Sequence, residues 1–176
     1  MFGFKRGLQP YEIFSRMPRE TASGIFQFLH EHQKPFYKAS LESLAQARKL
    51  RPVFVERKPR PEQYAWFTEQ VGRKTNDAIA AHLLQVWLVG AHKNMLCDFL
   101  DGFGIAHDEN GTIDTIPTPP LKADIERVVT ELLGKYDRTV LSVYLHAFQA
   151  LDPVGWPPLA EVLQENPALQ LAPTGA

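Results

Sequence analysis

The fold class follows from one stretch, residues 121–133, which reads LKADIERVVTELL. Its apolar residues recur at spacings of three and four, as they do on one face of an amphipathic helix, and most of its charged residues fall on the opposite face. The apolar set comprises Leu121, Ile125, Val128, Val129, Leu132 and Leu133. This pattern predicts an α-helix that buries one side.

A second helix is predicted directly after the first. The sequence Gly-Lys-Tyr-Asp at residues 134–137 breaks the pattern, and the carboxylate of Asp137 can accept a backbone N–H at the start of a new helix. Apolar residues then recur with helical spacing over residues 138–150. Because the connection is short, we expect the two helices within residues 121–150 to pack as a pair.

Residues 76–89 are predicted to form the helix at the centre of the fold. Their apolar side chains cover most of the helix circumference, and a helix that is hydrophobic on all sides is typically buried. These apolar residues are Ile79, Leu83, Leu84, Val86, Trp87 and Leu88. We therefore expect the C-terminal helix pair to pack against this helix.

Shorter helical patterns occupy much of the remaining chain, for example residues 41–49, where Ser40 is placed as an N-cap. Together the patterns predict an all-α, single-domain irregular bundle of about seven helices over residues 1–176. The chain end, residues 168–176, follows the last predicted helix, so we expect a frayed tail there.

Two segments interrupt the helical pattern. Over residues 50–61 the period fails around Pro52, Pro59 and Pro61, which predicts an extended arm or short strand. Over residues 104–120 a turn sequence is followed by further prolines, which predicts a long loop with room for one short hairpin.

Size and composition predict a soluble globular protein. The chain has 176 residues, of which 44% are hydrophobic and 22% charged, and no apolar run reaches the roughly 20 residues of a membrane-spanning helix. Its one cysteine, Cys97, cannot form an intramolecular disulfide. The N-terminal residues lack the pattern of a secretory signal. We therefore expect a cytoplasmic protein with no membrane partner.

Charge is distributed unevenly along the chain. Residues 1–74 hold 14 lysines and arginines against 7 acidic residues, whereas residues 75–176 hold 5 against 13. The strongest local feature is a basic stretch over residues 48–60. The predicted binding surface consists of Arg48, Lys49, Arg51, Phe54, Arg57, Lys58 and Arg60. Cations can contact phosphates or acidic protein surfaces, and the aromatic ring can stack or pack.

Catalytic and metal-binding motifs are absent from the sequence. No Glu-x-x-His or His-x-x-x-His pair occurs, and His30 and His32 would lie about 200° apart on a helix, which makes them a poor chelate. We therefore predict no cofactor and no metal. An active site would have to be assembled from distant residues, and the candidates for it are His82, His92, Asp98 and His146.

Three functional hypotheses follow from these features. The leading one is a non-enzymatic protein-interaction or regulatory module whose basic arm docks on a partner protein, on a second copy, or on the acidic part of its own chain. The second is an enzyme or a ligand-binding or metal-binding bundle built from the distant His and Asp candidates. The third is nucleic-acid binding through residues 48–60, which the acidic overall charge and the absence of a nucleic-acid-binding motif disfavour.

Overall fold

The computed structural model describes residues 7–115, 117–152 and 156–171. Over these ranges the chain forms ten α-helices, two short 3-10 helices and no strand. The prediction of an all-α protein is confirmed. The predicted count of about seven helices is wrong, because the shortest helices have too few turns for a clear apolar period.

The helices follow one another along the chain with short connections except between the seventh and eighth. Their bounds are α1 Pro10–Arg16, α2 Arg19–His32, α3 Lys34–Ala47, α4 Pro52–Glu56, α5 Arg60–Val71, α6 Asp77–Ala91, α7 Lys93–Gly102, α8 Lys122–Leu133, α9 Arg138–Leu151 and α10 Pro157–Glu165. The 3-10 helices are Lys74–Asn76 and Pro167–Leu169. None of the described helices is both long enough and apolar enough to cross a membrane.

The backbone divides into two compact units. The N-terminal unit is Gln9–Trp87, and the C-terminal unit is Leu88–Leu171 together with residues 7–8. Helix α6 supplies residues to both units. The expectation of one domain and the expected packing of the C-terminal helix pair against the central helix stay predictions.

Aromatic rings form the core of the N-terminal unit, where α2 packs against α3 and α5. The ring centroid of Phe26 lies 4.5 Å from that of Phe67 and 5.7 Å from that of Phe14. All three side chains are almost fully buried. Offset ring packing of this kind adds a specific contribution to the hydrophobic burial.

The C-terminal unit has its own aromatic core, where α10 packs against α8 and α9. The rings of Phe103, Phe148 and Trp156 each lie 5.1 to 5.2 Å from the ring of Phe99. The predicted cap of α9 is present, since the Asp137 carboxylate accepts the backbone N–H of Val140. The periodic pattern therefore predicted α8 and α9 close to their observed bounds.

Four of the six residues predicted for the inner face of α8 are buried, Leu133 is partly exposed, and Leu121 is exposed. Ile125, Val128, Val129 and Leu132 are at most 4% exposed, whereas Leu121 is 72% exposed. Leu121 is the N-cap residue with extended backbone angles, so its side chain lies outside the helical period. The assignment of Leu121 to the buried face is wrong for this reason.

Two local expectations in the N-terminal unit are also wrong. Helix α3 begins at Lys34, with Pro35 in its first turn, so Ser40 lies inside the helix, where it is buried, and is not an N-cap. The arm predicted as extended over residues 50–61 contains α4, because Pro52 occupies a first helical position, where its fixed φ favours a helix.

The segment between α7 and α8 is a loop without strands in its described residues, 103–115 and 117–121, and the short hairpin expected there is not confirmed. One turn within it is held by Asp108, whose carboxylate accepts the backbone N–H groups of Asn110 and Thr112 at 2.8 Å. Side chains of this type commonly close such turns.

The tail predicted to fray is packed over its described part. The side chain of Asn166 accepts the N–H of Ala168, and Leu169 is fully buried. The Leu169 carbonyl accepts a hydrogen bond from the hydroxyl of Ser142. The prediction is therefore wrong for residues 168–171, and residues 172–176 lie outside the described part of the chain.

Candidate functional site

The basic stretch begins at a sharp turn after α3. The N–H of Lys49 bonds the carbonyl of Gln46, and the N–H of Leu50 bonds the carbonyl of Ala45, both at 2.9 Å. These two bonds form a Schellman motif, which requires a left-handed residue that is usually glycine. Lys49 occupies that position with a φ of 57°. The turn therefore holds a lysine in a conformation that costs about 1–2 kcal/mol for a residue with a Cβ.

Helix α4 follows this turn, and contacts of its buried side with the rest of the unit hold it in place. Val55 is 1% exposed, while the side-chain amide of Gln63 on α5 donates hydrogen bonds to the carbonyls of Val55 and Glu56 at 3.2 and 3.3 Å. The hydroxyl of Tyr37 on α3 donates in turn to the Gln63 amide oxygen. Helix α4 is thus held by one buried side chain and by a polar residue whose own hydrogen bonds are satisfied.

The outer surface of this turn and helix combines apolar and basic side chains. Phe54 is 58% exposed, Leu50 41% and Val53 39%. The neighbouring cations Arg48, Lys49, Arg51, Arg57 and Lys58 are exposed, and none of them forms an ion pair with a described residue. We call these eight residues the basic corner. Sequence reasoning identified its cations and Phe54 but missed Leu50 and Val53.

Arg60 belongs to a different environment from the basic corner. It starts α5, and its guanidinium Nη1 lies 3.6 Å from a carboxylate oxygen of Glu31. Both side chains are well exposed, so the pair contributes little to stability. Its positive charge is nevertheless partly neutralised, which separates Arg60 from the five cations of the basic corner.

A pocket of about 240 Å³ lies within the N-terminal unit and includes Glu56 of α4 in its lining. Helix α3 supplies four of its lining residues, Lys34, Tyr37, Lys38 and Leu41. The remaining lining residues are His30, Glu56 and Gln63, from α2, α4 and α5. No sequence motif marks this pocket, because its residues come from four helices.

His30 has a defined place in the wall of this pocket. Its ring stacks on the ring of Tyr37, with centroids 4.4 Å apart and planes 4° apart, and its Nδ1 lies 3.1 Å from the hydroxyl of Tyr64. Burial, followed by the charges of Arg60 and Lys34, lowers the pKa of His30. Its imidazole is therefore neutral at neutral pH, with one nitrogen engaged by Tyr64.

The four candidates for a catalytic site assembled from distant residues each have different neighbours among their described contacts. His82 is exposed on α6 in the N-terminal unit, with its ring 4.6 Å from the ring of Phe36. His92 precedes α7, and burial lowers its pKa. His146 is buried, and its Nε2 lies 2.9 Å from the carbonyl oxygen of Leu169. His82 thus lies in the N-terminal unit and His92 and His146 lie in the C-terminal unit, and a catalytic role for these residues stays a prediction.

Asp98, the fourth candidate, joins α7 to the turn after α8. Its Oδ2 lies 2.6 Å from the ammonium of Lys135 and accepts a hydrogen bond from the hydroxyl of Tyr136. These two hydrogen bonds lower the pKa of Asp98. Burial, followed by the bond to Asp98, raises the pKa of Tyr136 to about 12. The geometry suits a fixed ionic contact, since Asp98 stays charged and Tyr136 stays neutral.

A second polar contact at the end of α7 was missed in the sequence. The Nε2 of His107 lies 2.6 Å from a carboxylate oxygen of Asp101, and its Nδ1 lies 2.6 Å from the carbonyl of Asp108. An imidazole with acceptors on both nitrogens is favoured in its charged form. The hydrogen bond to Asp108 and then that to Asp101 raise the pKa of His107. Burial, followed by the charges of nearby carboxylates, raises the pKa of the Cys97 thiol, which disfavours its reactive thiolate.

Within the described ranges, no group of three or more His, Cys, Asp or Glu side chains could hold a metal ion. The chain matches no protein-family model, and neither a curated protein nor a solved structure is significantly similar to it. The basic corner and the pocket are the two candidate sites that the described residues offer.

Proposed function

We propose that this protein is a non-enzymatic interaction module that docks on acidic protein surfaces through the basic corner, and that a second copy of the chain is such a partner. The observation that carries this proposal is Phe54, which is 58% exposed on a firmly held helix and is surrounded by cations without ion-pair partners among the described residues. Aromatic residues and arginines are the side chains that most often dominate the energy of an interface.

The apolar part of the basic corner supplies affinity. Burying the exposed part of Phe54 would contribute roughly 2–3 kcal/mol, and Leu50 and Val53 extend the same apolar surface. Because Gln63 and Val55 already hold α4 in place, little conformational entropy is lost when a partner binds. The corner is therefore preorganised for docking.

The charged part of the basic corner determines which partners fit. Five cations favour an acidic surface, speed encounter with it and make binding weaker as salt rises. Residues 88–171 of this chain carry 5 lysines and arginines against 12 acidic residues, a net charge of −7. A second copy therefore offers a surface of the complementary sign.

Sedimentation velocity of the full chain at about 0.1 M and about 1 M salt tests the charged part of the proposal. The Debye length falls from about 10 Å at the lower salt concentration to about 3 Å at the higher one, so charge–charge attraction is screened more strongly. We expect association at low salt that weakens at high salt. Arg57→Glu should reduce it, whereas Arg19→Glu should not, since Arg19 is an exposed cation of the same unit outside the basic corner. A wild-type chain that stays monomeric at both salt concentrations contradicts the proposal.

Single-stranded nucleic acid is a second candidate partner, because an exposed aromatic ring among cations is also a platform for stacked bases. Phe54 with Arg57 and Lys58 is the feature that favours it. Fluorescence anisotropy with a labelled single-stranded oligonucleotide tests this candidate. If nucleic acid is the partner, the affinity for the oligonucleotide depends steeply on the salt concentration, and Phe54→Ala weakens it. An affinity that does not change with salt concentration excludes this candidate.

A further inference from the structure

The pocket lined by residues of α2, α3, α4 and α5 has a polar side chain, Gln63, whose hydrogen-bonding groups are already paired. Gln63 accepts from Tyr37 and donates to the carbonyls of Val55 and Glu56. A ligand in the pocket therefore gains little from Gln63, whose role is to keep the wall rigid. The stacked rings of His30 and Tyr37 add to this rigidity.

Two lysines give the pocket a positive charge. Lys34 and Lys38 both line it and are one helical turn apart on α3, a spacing that places them on the same face. Both are exposed, and neither forms an ion pair with a residue in the described ranges. Glu56 is the one carboxylate in the lining. The lining therefore carries a net charge of +1 while His30 is neutral.

The pocket is open to solvent, and its volume suits a small ligand. At about 30 Å³ per water molecule, 240 Å³ corresponds to roughly eight waters. This is below the range of about 300–1,000 Å³ that is usual for drug-sized ligands. Leu41 is the aliphatic residue of the lining and is only 1% exposed, so the hydrocarbon part of a ligand that it contacts must be short.

His30 contributes one more specific contact. Because its Nδ1 is engaged with the hydroxyl of Tyr64, its Nε2 is the ring nitrogen left for a ligand. A neutral imidazole can donate or accept there, according to its tautomer, without adding charge. The pocket thus combines two cations, one hydrogen-bonding ring and one apolar wall.

We propose that this pocket binds a small organic monoanion, a carboxylate on a short hydrocarbon body, with Lys34 and Lys38 as its counter-ions, His30 as its hydrogen-bond partner and Leu41 against its apolar part. A phosphate dianion fits less well, because a monoanion neutralises the net charge of +1 in the lining, whereas a dianion would leave an uncompensated negative charge beside Glu56. The inference is independent of self-association through the basic corner.

Titration of the full chain with butyrate, butyramide and inorganic phosphate tests this proposal, with the imidazole resonances of His30 followed by NMR. Butyramide has nearly the shape of butyrate without its charge. We expect saturable binding of butyrate that is at least about tenfold tighter than that of butyramide, as an ionic contact with two cations implies. Phosphate should bind more weakly than butyrate.

Matched lysine variants complete the test. Lys34→Met combined with Lys38→Met should weaken butyrate binding at least about tenfold, whereas Lys58→Met in the basic corner should leave it unchanged. All three lysines are exposed, so both proteins should fold, and circular dichroism checks this. Equal binding of butyrate and butyramide, tighter binding of phosphate, no saturable binding of butyrate, or no effect of the double substitution would each overturn the proposal.

Discussion

The side-chain amide of Gln63 donates a hydrogen bond to the carbonyl oxygen of Val55 at 3.2 Å, and this contact fixes α4 on α5. Replacing Gln63 with leucine removes the acceptor of the Tyr37 hydroxyl and the side-chain donor to the carbonyls of Val55 and Glu56, of which the Val55 carbonyl keeps the backbone N–H of Lys58. We expect Gln63→Leu to lower the free energy of unfolding by roughly 1–3 kcal/mol, measured by urea denaturation.

A matched control for this change is Gln46→Leu, because Gln46 is exposed on α3. Its effect on the free energy of unfolding should stay within about 0.5 kcal/mol. Hydrogen exchange should also become faster at the amides of α4 in Gln63→Leu. Equal stabilities of the two variants would show that Gln63 does not hold α4.

Lys49 has a φ of 57°, in the left-handed region where glycine is preferred. Replacing it with glycine removes the steric cost of the Cβ but adds conformational entropy to the unfolded chain. We expect Lys49→Gly to raise the free energy of unfolding by up to about 1 kcal/mol, whereas Lys49→Ala should not raise it. Destabilisation by glycine in thermal unfolding would contradict the described turn.

Leu169 is fully buried in the C-terminal unit, although it lies close to the end of the chain. Leu169→Ala should lower the free energy of unfolding by roughly 2–5 kcal/mol, the usual cost of emptying a buried leucine site. Leu121→Ala is the control with the same chemistry at a side chain that is 72% exposed, and its effect should stay within about 0.5 kcal/mol. Similar small effects in both variants would mean that the tail is not packed.

The contact between His107 and Asp101 should make the loop after α7 sensitive to pH. Because the pKa of His107 is raised above its ordinary value of 6.5, the charged imidazole stabilises the folded state below that value. The stabilisation is lost as the pH rises through the raised pKa. NMR titration should therefore give a pKa above 6.5 for His107 and a lower one in Asp101→Asn. A wild-type value at or below 6.5 would refute this account.

Helices with several turns could be predicted from sequence because their periodicity is local. The pattern predicted helices over residues 121–133 and 138–150, and the structure has them at Lys122–Leu133 and Arg138–Leu151. Helix α4 was missed because five residues are too few for a period and because Pro52 was interpreted as a breaker rather than as a first helical residue. Short helices that begin at proline are the weak point of this reasoning.

The candidate surfaces were only partly predictable, for a different physical reason. The cations of the basic corner are visible in the sequence, but the exposure of Phe54 and the burial of Val55 depend on contacts between α4 and α5. The pocket needs His30, Tyr37 and Gln63 from three helices, and no spacing links them. Non-local contacts of this kind leave no periodic signal in one sequence.

The most direct test of self-docking through the basic corner is sedimentation equilibrium of the wild-type chain and of Phe54→Ala at low salt. The substitution removes an exposed ring and should leave folding intact, so a change in association reports on the interface. We predict that the dissociation constant of the wild-type self-association rises at least about tenfold in Phe54→Ala, which corresponds to about 1.4 kcal/mol. An unchanged constant, or a wild-type chain that does not associate, would contradict the account.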